Sequence, residues 1–129
     1  MFNFEKLEVW QKARRFAKRV YEVTDAFPEK EKFGLTQHTR KTTVSISSNI
    51  AEGSSRLSSA DFQRFIQVAT GSVQEIVAQL YVALDVGYLD QESFENLYRD
   101  AEELSKMLSG LSRSLARRET KLSSLNSQL

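Results

Sequence analysis

The chain of 129 residues contains no cysteine. That single absence removes disulfides, thiolate metal sites and a cysteine nucleophile together, and it fits a reducing compartment. Proline occurs once and glycine five times. So few breakers favour long uninterrupted helices over a strand-rich fold. There is one histidine, His38, with no partner at ligand spacing, and no Glu-x-x-His pair of the kind that builds metal sites inside helical bundles. A structural or surface histidine is the reading that follows, and no metal or cofactor is expected. The first fifteen residues, MFNFEKLEVWQKARR, are charged from Glu5 onward and lack the apolar core of a signal peptide. No apolar stretch reaches membrane-spanning length, because Gln67, Gln74, Glu75 and Gln79 interrupt the longest one. A cytoplasmic protein with no membrane association is the expectation.

What is present is ordinary globular material: 40% hydrophobic and 27% charged residues, enough for one domain with a single core. Four segments carry helical periodicity. The first runs from about Glu5 to Phe27 and stops at Pro28, which disfavours helix in the residue before it. The second runs from Leu35 to Glu52, with Gly53 placed for a left-handed C-cap. The third runs from Ala60 to Val86, with Ser58 or Ser59 as N-cap and Gly87 as stop. The fourth follows Asp90, and Phe94, Leu97, Ala101, Leu104, Leu108, Leu111 and Leu115 keep a 3-4 spacing. Short connections make consecutive helices antiparallel neighbours, so the predicted fold is an all-α, antiparallel up-down four-helix bundle over residues 1–118. Residues 119–129 (ETKLSSLNSQL) are Ser-rich and are expected to form a flexible, frayed tail.

Two features point past the core. The third segment has one charged residue, Glu75, between Phe65 and Leu84, and Val68, Tyr81 and Val86 lie off its main apolar stripe. Contiguous surplus of this kind predicts a second buried surface, a homo-oligomer interface at Val68 and Tyr81, over the alternative of scattered exposed apolar side chains. The second feature is charge. The net value of +1 hides twelve Lys/Arg against eight Asp/Glu in residues 1–64, two against eight in 65–112, and four against one in 113–129. Lys12, Arg14, Arg15, Lys18 and Arg19 are five of eight consecutive residues. Such a run is either the wet face of an amphipathic helix or a phosphate-binding face. An up-down bundle would also bring the start of the first and third helices beside the end of the second and fourth, gathering Lys6, Lys12, Arg56, Arg64, Arg113, Arg117, Arg118 and Lys121 at that end. Lys12, Arg15, Lys18, Arg19, Arg113, Arg117 and Arg118 are therefore the candidates for binding RNA or DNA. No aromatic residue interrupts Lys12 to Arg15, and Phe16 belongs to the core side, so base stacking is not expected to dominate there.

No catalytic constellation emerges. Glu29/Glu31 and Asp100/Glu102/Glu103 have no nucleophile, oxyanion donor or phosphate loop beside them, and no small-molecule substrate is implied. The polar run Ser45, Ser47, Ser48, Asn49 and Glu52 reads as a local hydrogen-bonding network around Gly53, or as a patch positioning Arg56.

Three segments together carry a family resemblance: FEKLEVWQKA, FPEKEKFGLTQHTRKTTVSISSNIAEGSSR and FQRFIQVATGSVQEIVAQLYVALDVGYL. The chain resembles the bacterial four-helix-bundle family encoded in intervening sequences of 23S ribosomal RNA genes, whose members often carry a ribosomal-protein label. NIAEG (Asn49–Gly53) after GLT (Gly34–Thr36) is the specific part; the fourth segment is generic leucine periodicity. The family is similar in fold to accessory proteins of diversity-generating retroelements, which form five-membered barrels and bind nucleic acid beside a reverse transcriptase. The resemblance implies a non-enzymatic, RNA-associated oligomeric scaffold, with a pentamer as its implied size, and supplies no catalytic residues. The alternative is a structural adaptor for a nucleic-acid enzyme, making no RNA contact of its own. Many relatives have proline where this chain has Ser47, so the kink expected of the family is weaker here.

Overall fold

A computed structural model describes residues 1–127 and shows four antiparallel helices with no strand among those residues. A 3-10 turn over Asn3–Lys6 precedes α1 (Glu8–Thr24), and a second one over Glu29–Glu31 precedes α2 (Leu35–Ser54). Then come α3 (Ser59–Asp85) and α4 (Gln91–Ser127). Each helix packs on its neighbours in sequence, and α4 closes the ring on α1, which is the up-down bundle.

The local reasons lie at the ends of the helices. The Phe2 N–H donates to the Glu5 carboxylate at 3.1 Å and Leu7 is extended. The chain therefore enters α1 at Glu8, three residues later than the periodicity suggests. Along α1, Val9, Ala13, Phe16, Val20 and Thr24 are buried at 3-4 spacing. Ser58 caps α3 by accepting the Asp61 N–H at 3.0 Å, and Asp90 caps α4 by accepting the Ser93 N–H at 2.7 Å. Those bonds, from the Ser93 backbone first and its hydroxyl second, hold the exposed Asp90 carboxyl below its ordinary pKa. Gly87, at φ +83°, lets the chain turn out of α3, and the Tyr88 N–H closes on the Ala83 carbonyl at 2.9 Å.

One expectation about ends is corrected. Gly53 is not a left-handed cap: it is buried one residue inside the end of α2, and Gly87 is the positive-φ glycine. A Cβ at Gly53 would stand 2.7 Å from Phe65 Cβ and 2.8 Å from Phe62 Cδ1, so glycine is there to let α3 approach. Residues 119–127 of the expected flexible tail continue α4 to Ser127; residues 128 and 129 lie outside the described part. Neither proline nor glycine follows Gly110, so nothing stops backbone hydrogen bonding from propagating. No described residue beyond Leu115 is buried, however, and α4 projects about 18 Å past it at 1.5 Å per residue.

The core runs the length of the bundle through Phe16, Ile46, Ile50, Ile66, Ile76, Leu80, Leu104 and Leu108. Trp10 is at its margin: half-buried, its ring 4.7 Å from that of Phe4 and 5.7 Å below the Arg14 guanidinium. Between α2 and α3 the packing is polar as well as apolar. Ser45 donates to Ser72 at 2.7 Å, and Gln79 donates to Thr42 at 3.1 Å. Within α2, Ser45, Ser47 and Asn49 bond to carbonyls one turn back, with the Asn49 amide donating to the Ser45 carbonyl at 2.7 Å. α2 remains one continuous helix through Ser47.

Candidate nucleic-acid interface

The basic run on α1 divides into three. Lys12 and Arg19 turn toward α4, where both pair with Asp100; Lys12 Nζ stands 3.4 Å from Oδ1 and also reaches Glu103. Asp100 is largely enclosed, with 14% of its side chain exposed. These two cations are therefore committed to holding α1 on α4. Arg14 leans over Trp10. Arg15 and Lys18 point outward, exposed and without an ion pair among the described residues.

Arg113, Arg117 and Arg118 are exposed on the far part of α4, again without an ion pair among the described residues. They do not join the α1 group. Lys12 and Arg19 pack at the level of Asp100, and thirteen residues of helix, about 20 Å, separate Asp100 from Arg113. Lys12 is thus at mid-bundle, not at the end where the topology suggested it. At that end Arg56 is paired with Glu52 at 2.9 Å and lies 4.6 Å over the Phe65 ring. Arg64 is paired with Asp61. The structure thus offers two separate groups of unpaired cations, one on α1 and one on α4.

On α3, Val68 and Tyr81 are exposed by 55% and 46%, but they do not share a face. Tyr81 leans toward α4, with its ring 4.7 Å from Phe94 and 6.3 Å from Tyr98. Val68 heads a different stripe with Gly71, Glu75, Ala78, Val82 and Val86, all exposed at helical spacing. Gly71 has open space where its Cβ would be.

His38 is exposed, and among the described residues no group of His, Cys, Asp and Glu could hold a metal ion. No described helix is long and apolar enough to cross a membrane.

One surface has no counterpart in the sequence pattern. A groove of about 700 Å³ runs over the outer side of α2, lined among others by Tyr21, Lys32, Phe33, Arg40, Lys41 and Val44. No Asp or Glu lines it. Phe33 is 80% exposed with the Lys32 ammonium 5.6 Å from its ring centre, and the Arg40 guanidinium covers the Tyr21 ring at 4.7 Å. Arg40 also donates to Asp25 at 2.8 Å, Lys32 stands 4.0 Å from Glu29, and Lys41 has no such partner among the described residues. The signal is weak in the sequence because these residues come from α1, a turn and α2, with no common period.

Known proteins share the fold. The model of the 23S rRNA-intervening sequence protein family matches residues 5–110. A solved protein of unknown function from the S23 ribosomal protein family of Bacteroides thetaiotaomicron VPI-5482 superposes with a TM-score of 0.75 at 25% identity. The superposition covers 81% of this chain and 97% of that one. No curated protein matches the chain. With the bundle, the NIAEG segment and a family match over most of its length, the chain belongs to the 23S rRNA-intervening sequence protein family.

Proposed function

We propose that this protein is a non-enzymatic, RNA-associated scaffold that works in the cytoplasm as a homo-oligomer, binding phosphates with little readout of sequence. The observation that carries the reading is the set of unpaired, outward cations on α1 and α4: Arg15 and Lys18 on one, Arg113, Arg117 and Arg118 on the other. Single subunits present few such charges, and repetition around a symmetry axis raises avidity without new chemistry. The exposed stripe headed by Val68 supports association of copies. A pentamer rests on the family resemblance. The same stripe favours the second reading, an adaptor that holds a nucleic-acid enzyme and leaves RNA binding to its partner.

Filter binding of duplex RNA at two salt concentrations tests the first reading. Each phosphate neutralised releases counterions, so affinity falls by roughly 0.9 log unit per phosphate per decade of salt. Arg15→Glu/Lys18→Glu is expected to weaken binding and flatten that slope. Equal binding by the variant removes the α1 group, and no binding by the intact oligomer at low salt transfers the case to the adaptor.

A further inference from the structure

We propose that the groove on α2 is a binding site for single-stranded RNA, with a base stacked on Phe33 and the backbone held by Lys41 and Lys32. This rests on the RNA-associated reading above and adds a site and a strandedness to it.

Large exposed aromatic rings are costly to leave in water, and Phe33 presents most of its surface there. Its neighbours are cations. Lys32 and Arg40 each lie over an aromatic ring, and Lys41 is unpaired among the described residues on the adjacent turn of α2. A groove that holds two rings and three cations, with no carboxylate among its lining residues, suits a ligand that carries both flat bases and phosphates, although Lys32 and Arg40 also face Glu29 and Asp25 outside the lining. A duplex hides its bases and could use the cations alone. The volume, about 700 Å³, is that of an ordinary ligand cleft.

The groove also leads somewhere. Lys18 and Arg14 precede Tyr21 by three and seven residues, which places all three along one stripe of α1. Both cations are exposed and unpaired among the described residues. A strand leaving the groove past Tyr21 therefore meets Lys18 next. The terminal part of α4 is a poor occupant, because residues 113–129 carry four Lys/Arg against one Glu and would be repelled by the groove's own cations. An acidic segment of another protein is the competing occupant, and its charge alone makes no use of the exposed Phe33 ring.

The test is fluorescence anisotropy with a labelled oligouridine and with a duplex RNA of equal length, on the oligomer as purified. Wild type is expected to bind the single strand more tightly. Phe33→Ala should weaken single-strand binding by about tenfold and leave duplex binding unchanged, since one stacked base is worth roughly that much or more. Lys41→Glu should weaken it and flatten its salt slope by about 0.7, the share of one phosphate on a single strand. Both side chains are exposed, so circular dichroism should confirm that each variant is folded. Unchanged single-strand binding by Phe33→Ala overturns the assignment, as does a fall in oligomer mass, which would make the groove a subunit interface. If Arg15→Glu/Lys18→Glu removes duplex binding while Phe33→Ala leaves single-strand binding unchanged, the scaffold reading survives without this site. Absence of binding to either RNA removes both.

Discussion

Gly53 of α2 lies against Phe65 of α3 so closely that a Cβ at 53 would meet the Phe65 Cβ at 2.7 Å. The second obstacle, Phe62, is a ring packed against the core, so neither neighbour can simply swing away. Gly53→Ala is expected to destabilise the bundle by about 1–3 kcal/mol, the usual cost of overpacking. At Gly71, where a Cβ meets nothing, the same substitution should stabilise by about 0.5–1 kcal/mol through helix propensity. Urea unfolding reads both as opposite shifts of midpoint at constant slope. A neutral Gly53→Ala would mean that α2 and α3 are further apart than described.

Asp100 pairs with two cations of α1: Lys12, which is largely enclosed, and Arg19, which stays exposed. Asp100→Asn should cost about 1 kcal/mol, since hydrogen bonds to a partly enclosed charge are worth more than surface pairs. It should also release Arg19, while Lys12 keeps Glu103, so that duplex RNA binds more tightly and with a salt slope steeper by up to about one unit. Weaker binding by a folded Asp100→Asn protein would exclude the α1 face as the phosphate surface.

Val68 belongs to the outer, exposed stripe of α3. Val68→Glu is expected to lower the mass seen by light scattering while changing subunit stability by less than about 0.5 kcal/mol. Tyr81→Glu is the less clean variant, because Tyr81 packs on Phe94 within the subunit and its loss costs stability as well. A monomeric wild type at micromolar concentration would remove the oligomer together with its interface.

Ending the chain after Arg118 should change stability by less than about 0.5 kcal/mol, because nothing described beyond Leu115 is buried. Far-ultraviolet circular dichroism should fall in proportion to the missing turns of α4. A large drop in stability, or in oligomer mass, would show that the projecting turns pack against another copy.

Much of the bundle was legible because its signals are local. Periodic apolar positions, Ser58, Asp90 and Gly87 act within a turn or two of themselves, and α3 and α4 lie where those residues place them; α1 ends at Thr24, three residues short of the Phe27 boundary read from Pro28. Even the extra length of α4 had a trace: Leu122 and Leu125 continue the spacing of Leu111 and Leu115 through Arg118, among serines that mask it. Gly53 was misread for the opposite reason. A glycine at the end of a helix looks the same whether it turns the chain or admits a neighbouring helix, and only α3 distinguishes the two.

The binding surface divides in the same way. The sequence by itself determined that the chain is helical, that α1 carries a dense basic run, and that α3 is nearly free of charge, since each is a matter of composition and period. Tertiary structure alone decided which charges remain available. Lys12 and Arg19 meet Asp100 across 88 and 81 residues of sequence, and Phe33 comes beside Tyr21 and Lys41 only when α1 and α2 pack. A charge is neutralised, and a ring and a cation become one site, by distance in space, and no period along the chain records that distance.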